Sequence, residues 1–251
     1  MKKIVVFTGA GVSADSGIAT FRDSDGLWAN YRIEDVCTPE ALVSNRSTVI
    51  EFYNIRRREL LQKRANPAHT AIASLESRYN VEVITQNIDD LHERAGSSRI
   101  THLHGELSKL RSMADPERIY DIPGWQQAAK AVENGADVEE YASVWKEALD
   151  AEDPHGDLLR PHVVFFGEQV PNYDLACRIA ATADLLIVCG TSLAVYPAAA
   201  LVFAVRKDIP VYLVDPGSPD TSRIANPVHF IQKKAAKGMP ELCRRLLNEA
   251  D

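Results

Sequence analysis

The run from Phe7 to Asp23, F-T-G-A-G-V-S-A-D-S-G-I-A-T-F-R-D, sets Gly9, Ala10 and Gly11 directly after the apolar stretch Ile4-Val5-Val6-Phe7, with Ala14 three residues later. Strand, glycine turn, helix start is an order that lets backbone N–H groups approach a pyrophosphate while a helix N-terminus faces its charge. A dehydrogenase of that pattern would run through a regular helix into a second strand bearing an acidic ribose ligand about 20 residues on. Here Ser16-Gly17 intervenes, and the polar, aromatic stretch Thr20–Trp28 follows. These residues predict a nucleotide covered by a loop instead of one opened to a hydride acceptor.

Further polar groups recur where apolar runs end. Gln86, Asn87 and Asp89 follow Val81–Thr85. An amide and a carboxylate there can read a ribose or a carboxamide, or they can cap a helix; Asp89 can do both. In T-H-L-H-G-E, alternation puts His102 and His104 on one face of a strand, with His104 at its carboxyl end. A neutral imidazole there suits a general base; a structural histidine, or a metal pair lacking a third ligand, are the other readings. Arg160–Glu168 ends the run Val163–Phe166 in Gly167-Glu168, either an edge open to an extended peptide or a core strand. Cys189-Gly190-Thr191-Ser192 brings a strand into glycine and hydroxyl donors suited to phosphate or ribose, with Cys189 a small apolar residue. Tyr53 and Arg56 stand i, i+3 and share a helix face, an arrangement fit for a carboxylate or for a solvated basic face; Arg57 and Arg58 are read as that solvated face.

The elements that must carry these groups alternate. Lys3–Thr8, Val81–Thr85, Ile100–Leu103, Val163–Phe166, Leu185–Cys189, Val211–Val214 and Val228–Ile231 read as buried parallel strands. Between them Asn66–Tyr79, Tyr173–Ala183, Pro197–Lys207 and Pro240–Asn248 read as helices. That pattern predicts an α/β, doubly wound, mostly parallel sheet. Two segments break it: the aromatic, helical Trp28–Arg64 and the acidic Lys109–Arg160, in which Gly124–Leu149 reads as one or two amphipathic helices. Both are expected to form a smaller, mainly helical lobe, so that 1–27, 65–108 and 161–251 make the large lobe and 28–64 with 109–160 the small one, within a single domain.

The chain has 251 residues, 45% hydrophobic, with net charge −7. The acidic balance argues against sequence-blind nucleic-acid binding, and no apolar run is long enough for a membrane span. Met1-Lys2-Lys3 precedes too few apolar residues for a secretory signal. The four cysteines, Cys37, Cys177, Cys189 and Cys243, form no C-x-x-C pair, which fits a reduced, cytoplasmic setting.

Taken together, G-A-G-V-S-A-D-S-G-I-A-T-F-R-D, T-Q-N-I-D, H-L-H-G-E-L, V-V-F-F-G-E and G-T-S-L-A-V-Y-P resemble, in order and from Lys3 to about Leu246, the sirtuins, NAD-dependent protein lysine deacylases with a Rossmann-like sheet. The chain is most similar to the bacterial and mitochondrial class that removes acidic acyl groups, in which a Tyr and an Arg separated by two residues grip the acyl carboxylate; Tyr53 and Arg56 fall at those places.

The resemblance implies NAD as cofactor and acylated lysines of proteins or peptides as partners, succinyl and malonyl before acetyl. Gly9, Ala10 and Gly11 would hold the pyrophosphate, and Phe21 and Arg22 would lie by the nicotinamide ribose on a loop ended by Trp28. Gln86, Asn87, Ile88 and Asp89 would surround the ribose and carboxamide pocket, Gly190, Thr191 and Ser192 the adenosine, and Asp215 the adenine ribose. Val164, Phe166, Gly167 and Glu168 would clamp the peptide as an added strand together with Val195 and Tyr196. The acyl-lysine carbonyl oxygen would attack C1′ of the nicotinamide ribose. Nicotinamide would leave, its departure promoted by Asn87 and Asp89, and His104, the base, would then deprotonate a ribose hydroxyl, which attacks the resulting imidate. Free lysine, nicotinamide and O-acyl-ADP-ribose result. NAD hydrolysis, mono-ADP-ribosyl transfer and a non-catalytic NAD sensor are the competing readings.

Three departures from the family pattern stand out. The zinc-binding Cys-x-x-Cys pairs are absent, since no cysteine lies between Cys37 and Cys177, so no zinc is expected and the 124–149 insertion is expected to take its place as a staple. Asp215 stands where relatives often carry Asn, and Ala19-Thr20 where many carry Pro-Asp.

Overall fold

The computed structural model describes residues 1–18 and 31–249. In chain order the elements are β1 (Lys3–Thr8), α1 (Ile33–Val36), α2 (Pro39–Ser44), α3 (Arg46–Leu61), α4 (Pro67–Ser74), β2 (Asn80–Thr85), α5 (Leu91–Arg94), β3 (Ile100–His102), β4 (Gly105–Ser112), β5 (Ile119–Asp121), α6 (Trp125–Glu133), α7 (Ala142–Trp145), β6 (Leu159–Val163), α8 (Tyr173–Ala181), β7 (Leu185–Cys189), β8 (Val211–Val214), β9 (Val228–Ile231) and α9 (Ala235–Asn248).

Six strands form one parallel sheet in the order β3-β2-β1-β7-β8-β9. Its central strands are apolar throughout because both faces are covered. Along β1 the side chains alternate: Ile4 and Val6 enter the core beneath α4 and α9, Val5 and Phe7 the core beneath α8. The doubly wound α/β expectation holds. Chain order reverses around β1, whose neighbours are β2 and β7, and ligands of open α/β sheets bind at such a switch point.

Several boundaries differ from expectation. Val163–Phe166 is not a strand of the parallel sheet: β6 ends at Val163 and pairs antiparallel with β4 in a separate sheet of order β5-β4-β6. The smaller body therefore adds an antiparallel sheet to its helices. These strands escape a hydropathy reading because buried arginines, Arg111 on β4 and Arg160 on β6, occupy inward positions. The segment Pro197–Lys207 is a 3-10 run over Ala198–Phe203. Pro240 reads as a helix start, yet α9 begins at Ala235 and carries Pro240 inside it. Within 124–149 lie one nine-residue helix, α6, and the short turns Val138–Tyr141 and α7.

A third apolar cluster, including Phe52, Tyr53, Leu61, Leu107, Trp125, Val163 and Phe165, joins α3, α6 and the antiparallel sheet. Arg57, expected on a solvated face, is fully buried beside it. Its Nη1 donates to Glu147 Oε2 at 2.9 Å and its Nε to the Leu107 carbonyl at 2.9 Å. Asn54 completes the tie, donating to the Glu147 carbonyl and accepting from the Glu147 N–H. The 124–149 segment is thus fastened to α3 through a buried ion pair. Arg58 does lie on the surface, paired with Glu139. No described helix is long and apolar enough to cross a membrane.

Candidate active site

Strand register builds the site. Thr8 is level with Thr85 on one side and Cys189 on the other, Thr85 with His102, and Cys189 with Val214. The residues that follow these strand ends, Gly9, Gln86, Gly190 and Asp215, therefore emerge along one edge of the sheet.

Backbone packs on backbone there. Gly11 N–H donates to the Gly190 carbonyl at 2.8 Å, and a Cβ on Gly11 would come within 2.7 Å of Gly190 Cα. Gly190 has φ +63, and a Cβ on it would reach within 2.3 Å of Val12 N, so both positions require glycine. Gln86 Nε2 spans the junction to Thr191 Oγ1 at 3.0 Å. Ala10 is left exposed at the start of the 3-10 turn Ala10–Val12. The absence of side chains lets a dinucleotide phosphate come close to the main chain here, while the Gly9, Gly11 and Gly190 N–H groups are themselves donated to the Cys189, Gly190 and Val214 carbonyls. Ser192 and Asp215 line a cleft of about 260 Å³ with Gly217, Ser218, Pro219 and Asp220. Asp215 Oδ1 accepts from Gly217 N–H at 2.8 Å.

Next to the cradle, Asn87 Nδ2 donates to Ser13 Oγ at 3.1 Å and Ser13 Oγ donates to Asp89 Oδ2 at 2.9 Å. His69 Nδ1 accepts from Asn66 N–H, so its Nε2 carries the proton and faces Ser13 Oγ at 3.3 Å. Burial holds His69 down at about 4, against the pull of Glu93, so it is neutral. Asp89 is pushed above the usual carboxylate range by burial, opposed by its bonds from Leu91 N–H and Ser13. Its Oδ1 accepts from the N–H of Leu91, the first residue of α5, at 3.2 Å, although the N-cap position itself is Asp90, while Oδ2 is turned to Ser13. Ile88 packs against the apolar cluster of α3 and α6, and its carbonyl accepts from Leu107 N–H at 2.8 Å, which ties this loop to β4.

His104 lies past the end of β3, in the turn before β4, not on the strand itself. Gly105, at φ +82 and pressed against the His162 carbonyl, makes that turn possible. His104 Nδ1 meets the Gln86 carbonyl at 3.0 Å. A carbonyl only accepts, so Nδ1 carries the proton and Nε2 keeps its lone pair. Burial lowers the His104 pKa, opposed by that bond. A neutral imidazole with one bare nitrogen can act as a base near neutral pH.

The segment after β6 links His104 to α3. Val164 N–H donates to the His104 carbonyl and Phe166 N–H to the Cys37 carbonyl, each at 2.9 Å. Phe165 between them stacks on Tyr53 at 5.7 Å. Tyr53 is buried with its hydroxyl 3.5 Å from Cys37 Sγ, and burial, then Cys37, holds the phenol well above its ordinary pKa. Arg56 lies on the same helix, its guanidinium 5.8 Å from the Phe52 ring centre. Phe166, Gly167, Val195 and Tyr196 are exposed. Glu168 is turned inward instead: its carboxylate accepts from Arg111, Arg160 and Phe165 N–H. Its N–H donates to the Phe165 carbonyl at 3.0 Å, so what it can offer a peptide is its own carbonyl. Phe21, Arg22 and Trp28 lie outside the described residues.

Ser13, His69 and Cys37 join the site without having been singled out as functional in the sequence. Ser13 stands inside the G-A-G-V-S motif, which is the available signal; His69 and Cys37 carry none. Cys37, Cys189 and Cys243 are buried, Cys177 is half-buried, and all are free thiols.

Residues 9–197 match the Sir2 family, and the chain belongs to it. It is similar to proteins named NAD-dependent protein deacylase: 48% identical over 229 residues to one from Aggregatibacter actinomycetemcomitans, covering 91% of this chain and 99% of that one. For one from Bacteroides thetaiotaomicron the identity is 45% over 247 residues, covering 98% and 99%. Among solved structures, a Sir2 homologue in complex with NAD superposes with TM-score 0.82 at 35% identity, covering 100% of this chain and 91% of the other. Sir2Tm bound to a propionylated peptide superposes with TM-score 0.72 at 29% identity, covering 98% and 92%.

Proposed function

We propose that this protein is an NAD-dependent protein-lysine deacylase with a preference for acidic acyl groups, succinyl and malonyl before acetyl. The observation that supports the reaction is His104: its proton is fixed on Nδ1, and its Nε2 keeps its lone pair with no hydrogen-bond partner among the described residues, beside Gln86 at the glycine cradle. NAD, when bound, supplies an electrophilic ribose carbon and the ribose hydroxyl that receives the acyl group.

The chain's own residues do the rest. Gly9, Ala10, Gly11 and Gly190 shape a close-packed floor for the pyrophosphate, with the Gly9, Gly11 and Gly190 N–H groups already donated to the Cys189, Gly190 and Val214 carbonyls. Thr191, Ser192 and Asp215 hold the adenosine side, where a carboxylate at 215 can accept from ribose hydroxyls. Phe21 and Arg22, on a segment ended by Trp28, are the residues assigned to the nicotinamide ribose. Gln86, Asn87, Ile88 and Asp89 line the carboxamide pocket, with Ser13 fixing the Asn87 amide. His104 takes a proton at Nε2. Val164, Phe166, Gly167 and Glu168, with Val195 and Tyr196, offer main chain to the substrate peptide. The cofactor is held by 1–27, 65–108 and 161–251, and the acyl group is read by the smaller body, 28–64 and 109–160. The free thiols and the acidic net charge agree with a reduced, cytoplasmic setting and with partners other than nucleic acid.

Acidic preference rests on Tyr53 and Arg56. A carboxylate entering an otherwise apolar pocket must be paired, because an unpaired buried charge is costly. Arg56 offers charge and two donors, and Tyr53 a hydroxyl. The test is the succinyl-to-acetyl ratio in kcat/KM on matched peptides with NAD. A ratio well above one supports the reading, and a ratio below one overturns the acidic preference.

A further inference from the structure

We infer that His102, to which the reaction assigns no part, is a positioning residue that holds the cofactor-facing loop through the Asn87 carbonyl. The inference rests on the functional reading above and goes beyond it.

His102 ends β3 and is buried. Its Nδ1 meets the Asn87 carbonyl at 2.9 Å, and its Nε2 meets Glu93 Oε1 at 2.8 Å. The carbonyl cannot donate and a carboxylate accepts, so each ring nitrogen carries a hydrogen and the ring is an imidazolium. Its main-chain carbonyl accepts from Asn172 Nδ2 at 2.9 Å, which fixes the strand end from the other side. The ring is therefore a clamp, anchored on α5 through Glu93 and closed on the residue whose side chain is bonded to Ser13 beside the cradle. Hydrogen bonds from a charged donor are stronger than neutral ones, and the loop they restrain bears Gln86, Asn87, Ile88 and Asp89.

A metal is the competing explanation. Ligand atoms of Glu93, His102 and Glu106 lie within 4.8 Å of one another. Lys109 Nζ, however, sits 2.9 Å from Glu106 Oε1, and the Glu93 carboxylate already has His102. Two cations balance two carboxylates, so the cluster is neutral without a metal, although Glu93 Oε2 is buried with no hydrogen-bond partner among the described residues.

The experiment compares NAD binding by calorimetry, without turnover, in the wild type, His102→Leu and His102→Gln, alongside kcat and the separate KM values for NAD and acyl-peptide. His102→Leu, checked for folding by circular dichroism, should bind NAD about tenfold more weakly. Its peptide KM should stay within about twofold of wild type. His102→Gln, whose amide can still donate to the Asn87 carbonyl, should recover most of the NAD affinity. If His102→Leu does not fold, Glu93→Leu decides: with its anchor gone the ring should loosen and NAD affinity should fall about threefold. Unchanged NAD affinity in the folded variant, or equal loss in the Leu and Gln variants, overturns the inference. So does one zinc per chain that His102→Gln releases, since Nε2 would then be a ligand. Failure of the wild type to bind NAD at all refutes the functional reading instead.

Discussion

His102 Nδ1 and His104 Nδ1 sit on consecutive carbonyls, those of Asn87 at 2.9 Å and Gln86 at 3.0 Å. The two rings nonetheless hold opposite protonation states. Burial lowers both, but Glu93 and then Glu106 lift His102 to about 9, while His104 has only the Gln86 carbonyl to oppose burial and stays lowered. One loop is thereby gripped by a cation and presented with a base.

Removing the base should separate chemistry from binding. His104→Ala is expected to lower deacylation by about 10²–10⁴-fold, the usual cost of losing a general base. NAD binding should persist, because the glycine cradle is untouched. A variant deacylating at close to the wild-type rate would show that the base is another residue.

Removing the carboxylate reader should change specificity more than rate. A charge-assisted hydrogen bond contributes roughly 1.5–3 kcal/mol. Arg56→Met should therefore slow succinyl-lysine turnover by about 10–100-fold. Acetyl-lysine, which carries no charge, should suffer far less, so the succinyl-to-acetyl ratio narrows or reverses. Equal slowing of both substrates would make Arg56 a structural residue of α3.

The buried Arg57–Glu147 pair should matter to stability. Arg57→Leu leaves the Glu147 carboxylate buried and without its partner; burial already raises its pKa, opposed by Arg57. Breaking such a pair costs about 3–5 kcal/mol, whereas replacing both partners with apolar residues is often close to neutral. Thermal unfolding of Arg57→Leu, Glu147→Leu and the double variant checks this. The double variant should be more stable than Arg57→Leu; three equal midpoints would mean that the pair does not staple the 124–149 segment.

Acid should destabilise the fold. Burial lowers His69 to about 4, and burial followed by the His69 and His102 charges drives His92 well below its ordinary 6.5. The unfolded chain binds these protons near pH 6.5 and the folded chain only at lower pH. Their contribution to stability is therefore fully present above about pH 6.5 and declines as pH falls toward 4. His102, lifted to about 9, adds stability as pH falls to about 6.5, so unfolding midpoints measured between about pH 6.5 and 4.5 should drop across that window. A flat profile would place these histidines in a less buried state than the structure shows.

The parallel strands are readable in the sequence because burial on two faces makes them continuous apolar runs, as in Leu185–Cys189. The glycine turns at Gly9–Gly11 and Gly190 are readable because main-chain contact leaves no alternative residue. The antiparallel sheet is hidden, since Arg111 and Arg160 occupy inward positions and are paired with Glu168, which no hydropathy pattern pairs with them. Arg57 reads as solvated for the same reason: its partner lies 90 residues away. The split between His102 and His104 is likewise beyond sequence reach, because it depends on which acceptor each ring meets.

The most direct measurement is the identity of the products. The protein is incubated with NAD and a succinyl-lysine peptide, and the mixture is weighed by mass spectrometry. The account predicts free-lysine peptide, nicotinamide and O-succinyl-ADP-ribose in equal amounts, with no peptide change when NAD is withheld. Nicotinamide and free ADP-ribose beside an intact succinyl-peptide, or a peptide carrying ADP-ribose, would contradict it.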